Sequence, residues 1–294
     1  MIKGFRFLAI CTISIAFASI TSAQTYAQVD YPGAIATGLN GGPNLQGTSV
    51  GSYTDTSGAI HGFTLTAKGV FTAFDPPGSI NTVPNFINLQ GVIVGEYLDS
   101  HSVSHGFILE EGEYKFVNVT GAAGTSLTGI NDLGEISGST CSDPACGLTG
   151  NPNIPHSFLR PTKGAFTFFD PPGAISSAPS TVSLLGAVVG AYTDSIGELN
   201  HGYLLFLGKY TTIDYPGATS GTFAGGGNVE NDIVGVYNFN SSFGHGFLLH
   251  HGIFTSFDPP GSAFTEASGI NALGVIVGIY FDSSGVEHGF VRTP

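Results

Sequence analysis

The 294-residue chain is 41% hydrophobic and only 10% charged, enough apolar material for a large core and too little charge for disorder. Its 44 glycines follow no Gly-X-Y period, which excludes collagen, and scarce Lys and Glu beside abundant Phe, Tyr, Val, Ile and Thr mark an all-β protein. A net charge of −13 with no Lys/Arg cluster repels nucleic-acid phosphates and anionic lipids, so nucleic acid is excluded as a partner.

Residues 1–23 read as a secretory signal peptide: Lys3 and Arg6 form a basic start, Phe7 to Ile20 an apolar run, and Thr21-Ser22-Ala23 a small-residue cleavage site. The run is short for a membrane span, and no second apolar segment follows. Cys11 follows Ile10 rather than a small residue, which disfavours a lipid-anchored cysteine. Residues 24–294 are therefore expected to be one exported domain, extracellular or periplasmic, soluble and monomeric, with no membrane span.

Repetition governs the rest. Gly91-Val-Ile-Val-Gly-Glu-Tyr-Leu-Asp99 is followed by His105-Gly-Phe107, and close variants return around Gly51, Gly138, Gly190, Gly235 and Gly278. The histidines of this word are His61, His105, His156, His201, His245 and His288, spaced 44, 51, 45, 44 and 43 residues apart. An Asp-Pro-Pro-Gly element recurs at Asp75, Asp170 and Asp258, degraded to Asp-Tyr-Pro-Gly at Asp30 and Asp214 and to Asn118-Val-Thr-Gly121. The one long spacing places an insertion at about 141–155, in the third repeat.

Each unit reads as four short strands. The first ends in an Ile-Asn pair, as in Ile87-Asn88, and the second is the Val92–Tyr97 type, apolar or small on both faces. The third carries His-Gly-Phe, and the fourth is stopped by Pro-Pro-Gly, since proline cannot donate to a ladder. Pro77-Gly78 suits the central positions of a type II turn. About 44 residues per four-stranded unit matches a β-propeller blade. A two-coil β-solenoid competes, but the two halves of the unit do not resemble each other. The mature chain opens on a fourth-strand element, Thr25 to Gly33, and ends on a third strand, His288 to Arg292. Pairing them closes a six-bladed ring in which an N-terminal strand completes the last blade.

The pattern G-x-I-V-G-x-Y-x-D-x-x-G-x-x-H-G-F, followed by F-x-x-F-D-P-P-G, resembles the HAF-type extracellular repeats of secreted bacterial proteins. Here the name-giving His-Ala-Phe becomes His-Gly-Phe, His-Gly-Tyr at His201 and His-Ser-Phe at His156. The resemblance implies export and a repetitive β fold, and no particular activity.

The candidate residues divide accordingly. Six equivalent histidines could hold a metal or an anion. However, His105 and Phe107 share one strand face, and Phe107 is expected in the core, so each His is expected to bond a loop or an Asp of the Asp-Pro-Pro-Gly turn, such as Asp75, Asp170, Asp214 or Asp258. Asp55, Asp99, Asp194 and Asp282 suggest calcium, but each loop offers too few carboxylates for an ion that takes about 6–8 oxygens, and an Asx-type turn is expected instead. Gly47-Thr-Ser49-Val-Gly51 spells a nucleophile elbow without the strand-to-helix context, and it aligns with plain blade strands. No zinc-spaced cluster or phosphate loop appears, so neither cofactor nor metal is expected. Asn118 and Asn240 begin glycosylation sequons, which count only in a host that uses them. Cys141 and Cys146, the only cysteines after the signal, are expected to pair, export making a disulfide permissible.

These observations point to a non-enzymatic binding module for an extracellular partner, a polysaccharide, an envelope component or a protein. Two alternatives stand beside it. One is a polysaccharide-active hydrolase or lyase using carboxylates that break the repeat pattern (Glu96, Glu135, Glu198, Glu230), which must converge near the channel. The other is a purely structural or adhesive role.

Overall fold

The computed structural model describes residues 24–148, 153–194, 200–240 and 243–294, with residues 239 and 240 by backbone alone. The export-signal reading, Glu198 and Ser241-Ser242 of the second sequon fall outside the described residues. Blade one holds β2 (Ala36–Gly41), β3 (Ser49–Thr54), β4 (Ile60–Leu65) and β5 (Phe71–Phe74). Blade two holds β6 (Asn81–Ile87), β7 (Ile93–Leu98), β8 (Ser104–Glu110) and β9 (Glu113–Val117). Blade three holds β10 (Gly124–Ile130), β11 (Ile136–Cys141), β12 (His156–Arg160) and β13 (Thr167–Phe169). Blade four holds β14 (Ala174–Val182), β15 (Val188–Asp194), β16 (Asn200–Phe206) and β17 (Lys209–Ile213). Blade five holds β18 (Thr222–Gly227), β19 (Ile233–Asn240), β20 (Phe243–His250) and β21 (Ile253–Phe257). Blade six holds β22 (Ser262–Ile270), β23 (Ile276–Asp282), β24 (Glu287–Thr293) and β1 (Thr25–Val29), paired antiparallel from Thr25↔Thr293 to Val29↔Gly289. This pairing closes the six-bladed ring. Blades five and six also touch through one parallel bridge, Gly244↔Phe264, where the missing side chain admits the phenyl ring.

One structural rule is written into every blade. All six inner strands carry a bulge, at Leu39/Gly41, Pro84/Phe86, Leu127/Gly129, Pro179/Thr181, Ala224/Gly226 and Ala267/Gly269. Opposite each bulge stands the invariant glycine of the second strand. A Cβ at Gly51, Gly95, Gly138, Gly190, Gly235 or Gly278 would lie 1.9–2.4 Å from an inner-strand carbonyl oxygen, with the ring of the His-x-Phe aromatic just beyond. The bulged backbone occupies the space a side chain would need. Those aromatics, Phe63, Phe107, Phe158, Tyr203, Phe247 and Phe290, are at most 1% exposed and centre the hydrophobic clusters between blades. Burying each contributes about 1.5–3 kcal/mol.

The Ile-Asn pair ties the blades together. Asn88 Nδ2 donates to the Asn131 carbonyl of the next blade at 3.2 Å, while its Oδ1 accepts from Val92 N at 2.9 Å within its own turn. The same link joins Asn44 to Asn88, Asn131 to Ser183 and Asn228 to Asn271. One amide thus satisfies a tight turn and an inter-blade contact at once.

The ring has two ends. At the lower end lie the first-to-second and third-to-fourth strand turns, which touch where Thr162 Oγ1 donates to Leu133 O (2.5 Å) and His250 Nδ1 meets Asp232 Oδ1 (2.6 Å). At the upper end lie the second-to-third turns and the inter-blade turns. Each inter-blade turn closes with a glycine at positive φ, as at Gly78 (82°), where Ser79 N donates to Pro76 O at 3.1 Å. This is the type II arrangement that only glycine enters without strain.

Candidate functional site

The repeated polar residues gather at the upper end. His61 Nδ1 faces Asp75 Oδ2 at 2.8 Å, and its Nε2 faces Asp55 Oδ2 at 3.4 Å. His156, His201, His245 and His288 meet Asp170, Asp214, Asp258 and Asp30 at 2.7–3.0 Å, and His105 meets Asn118 at 3.0 Å. At His61, His105, His201 and His288 the ring also reaches the aspartate of the second-to-third turn, so the histidine bridges that turn to the inter-blade turn. A tyrosine of the second strand lies beside the imidazole in five blades, as Tyr53 on His61 at 5.1 Å between ring centroids.

The turn aspartates are engaged as well. Asp99 Oδ1 accepts from the backbone N–H of His101 and Val103, and Asp55 and Asp282 do the same in their turns. These donors hold all three carboxyls down at about 2, led by the Ser57 hydroxyl for Asp55, the Val103 N–H for Asp99 and the Ser284 hydroxyl for Asp282. The hydrogen bond to Asp75 raises the His61 pKa above its usual value. Among the described residues no group of three or more His, Cys, Asp or Glu is placed to hold a metal ion. Ser49 is 4% exposed within β3, a plain blade strand whose Gly51 packs against the β2 bulge at Leu39/Gly41, and it forms no elbow.

The distinctive chemistry lies at the upper mouth of the channel, in a cavity of about 380 Å³. Its wall carries Glu96, Glu266, Ser126, Ser139, Asn153 and the Cys141–Cys146 disulfide, and includes no Lys or Arg. Glu96 is 8% exposed, and Ser104 Oγ donates to its Oε2 at 2.7 Å. Burial raises its pKa to about 7 against those hydrogen bonds. Burial, aided by the Glu287 carboxylate, also raises Glu266 to about 7. Glu287 is itself raised, chiefly by burial.

Among the described carboxylates that break the repeat pattern, Glu96 reaches this cavity and Glu135 and Glu230 do not. Glu135 sits in a lower turn beside Asn131 Nδ2 at 3.2 Å, and Glu230 is exposed in the matching turn of blade five. The proposed convergence fails for them because first-to-second turns all point to the opposite end. Glu266 is the partner that pattern-breaking alone did not single out. It stands where the other inner strands carry Gly38, Val83, Ser126, Ala178 and Phe223, so aligning the bulges, rather than the His-Gly-Phe words, exposes it.

The insertion of blade three reaches across this mouth. Ser104 N of blade two donates to Pro144 O at 2.7 Å, and Ser177 N of blade four donates to Pro155 O at 2.9 Å. Asn153 Oδ1 accepts from Ser142 N and Asp143 N, which pins the loop to its own base.

No protein-family model matches the chain, and no curated protein matches it. Solved structures do. The fungal lectin of Aleuria aurantia, described as a six-bladed β-propeller with a novel fucose recognition mode, superposes with a TM-score of 0.53 at 13% identity, over 87% of this chain and 91% of that one. A mutant of AofleA from Arthrobotrys oligospora gives 0.55 at 12% identity, over 91% and 86%. TolB from Acinetobacter baumannii gives 0.52 at 10%, over 80% of this chain and 60% of that one. The likeness is one of fold. Among the described residues no helix is long and apolar enough to cross a membrane.

Proposed function

We propose that the protein is an exported, non-enzymatic carbohydrate-binding propeller of the HAF-repeat kind, with its ligand at the upper channel mouth. The observation that carries this reading is the 380 Å³ cavity whose wall combines carboxylates, hydroxyls and amides with apolar side chains such as Val83, Phe223 and Ile279, with no cation among its lining residues. Such a wall offers hydrogen bonds to hydroxyl groups and repels phosphate or sulfate, which favours neutral or amine-bearing sugars. A fold shared with a fucose-recognising lectin supports the same class of ligand.

The test is a thermal-shift screen of the protein against a glycan panel. A ligand that binds only the folded state raises the melting temperature in proportion to ln(1 + [L]/Kd). The expected result is a dose-dependent rise with at least one neutral or amino sugar, lost in Glu266→Gln. A flat response to the whole panel would overturn the reading and favour a structural or adhesive role.

A second reading rests on Glu96 and Glu266 sharing one cavity, both with pKa near 7. Carboxylates so tuned can serve as acid and base on a polysaccharide. Release of reducing ends from a bound glycan, abolished in both Glu96→Gln and Glu266→Gln, would establish it.

A further inference from the structure

Blade three breaks the aromatic pattern of the upper rim at two places. In the other five blades the second-strand residue opposite the repeat histidine is a tyrosine: Tyr53, Tyr97, Tyr192, Tyr237 or Tyr280. In blade three it is Thr140, opposite His156. The turns entering blades one and five add a second ring after their aspartate, with Tyr31 stacked on Tyr53 at 3.8 Å and Tyr215 on Tyr237 at 3.6 Å between centroids. The turn entering blade three carries Val119 at that position. A threonine and a valine thus stand where two rings meet elsewhere, and both line an open pocket of about 600 Å³.

The pocket keeps one ring of its own. Phe168 lies on the fourth strand opposite the buried Phe158 and borders the pocket, 53% exposed. Its counterpart in blade two, Phe116, rests on Tyr97 at 5.3 Å, a support that Thr140 cannot give Phe168. The remaining blades carry Ala73, Thr212, Ser256 and Gln28 at this position, so building a blade does not require an aromatic there. His156 supplies the polar side of the wall. Its Nδ1 faces Asp170 Oδ2 at 3.0 Å, while its Nε2 meets no carboxylate among the described residues. With Nδ1–H donating to Asp170, a neutral imidazole leaves the Nε2 lone pair free to accept. The insertion divides this pocket from the channel mouth: Asn153 and Pro155 line the mouth, Ser142 and Ile154 line the pocket, and Cys141 borders both.

We propose that this pocket is a second sugar subsite, in which one pyranose unit of a neutral oligosaccharide lays its C–H face on Phe168 and donates a hydroxyl hydrogen bond to His156 Nε2. The subsite rests on the carbohydrate reading of the channel mouth and deepens it: the ligand is a chain of several units that crosses the insertion from one cavity to the other. A phenyl ring and an imidazole acceptor in one wall match the apolar face and the hydroxyl edge of a sugar ring. No Lys or Arg lines the pocket, so a phosphate or sulfate group finds no counter-charge in it.

The chain contains no tryptophan, so Phe168→Trp places a single indole fluorophore in the pocket. The test titrates this variant with cellotetraose, maltotetraose, mannotetraose and chitotetraose, and with their monosaccharides, reading indole emission and melting temperature in parallel. A tetrasaccharide that raises the melting temperature should also shift the emission. Its monosaccharide should bind at least ~10-fold more weakly, because it fills one subsite at a time. Phe168→Ala should weaken tetrasaccharide binding about 5- to 10-fold, by loss of the stacking ring. Thr140→Tyr restores the ring of the other five blades, and should weaken binding as much without lowering stability. Phe116→Ala in blade two should bind like wild type. A melting-temperature rise with unmoved emission, and with affinity unchanged in Phe168→Ala and Thr140→Tyr, would overturn the subsite and leave the channel-mouth reading standing. A flat response of both readouts to every saccharide would overturn both.

Discussion

Replacing Glu96 by glutamine should stabilise the protein in mild alkali and leave it unchanged in acid. The carboxyl is 8% exposed, and burial raises it from 4.5 to about 7. Below pH 4.5 it is protonated in both the folded and unfolded chain and costs nothing. Between 4.5 and 7 the unfolded chain releases the proton while the folded one keeps it, so stability falls as pH rises, then levels off above 7. At about 1.4 kcal/mol for each pH unit, the accumulated loss is about 3 kcal/mol. Glutamine retains an oxygen to accept the Ser104 hydroxyl and carries no charge to desolvate. Urea unfolding of both proteins at about pH 4 and about pH 8 reads the difference, which should grow from near zero to about 3 kcal/mol. In a melting scan this is a rise of about 6–12 °C at the higher pH, at about 2–4 °C per kcal/mol. Parallel pH profiles for the two proteins would refute the buried-carboxyl argument.

Other substitutions probe the remaining parts of the scheme. Gly235→Ala places a methyl group 1.9 Å from Phe223 O and should lower stability by at least ~2 kcal/mol in denaturant titration; a neutral result would remove the bulge explanation. His61→Gln should cost most below the usual imidazole range. The stability from its raised pKa is full at low pH and lost as pH rises through the raised value, so the gap to wild type must narrow as the pH climbs above the ordinary imidazole value of 6.5. Cys141→Ser/Cys146→Ser should cost about 2 kcal/mol by freeing a short loop, and should weaken glycan-induced stabilisation because that loop borders the mouth. Unchanged melting after reduction would separate the loop from both roles.

The architecture was legible because each rule is local and stated six times. The Gly-x-Tyr word, the His-Gly-Phe word and the Pro-Gly turn each specify one strand or turn, and the out-of-phase ends Thr25 to Gly33 and His288 to Arg292 called for the β1–β24 closure that the structure has. The role of the second-strand glycine was not legible, because its cause, a bulge in the strand beside it, carries no residue signature: Leu39, Pro84 and Ala224 all precede one. Glu96 could be picked out as an irregularity, whereas Glu266 required the repeats to be aligned on bulges visible only in the paired strands.

Sequence by itself therefore determined the number of blades, the strand content of each and the way the ring closes. These follow from short-range patterns of period two, from prolines that end strands and from glycines that turn them. Tertiary structure decided what shares each end of the ring: Glu96 and Glu266 lining one cavity, the blade-three insertion against Ser104 and Ser177, and the exposed leucines of the first-to-second turns at the other end. A closed ring brings distant repeats together and sends alternate turns to opposite ends. The chemistry of each end is thus a sum over blades that no single repeat contains.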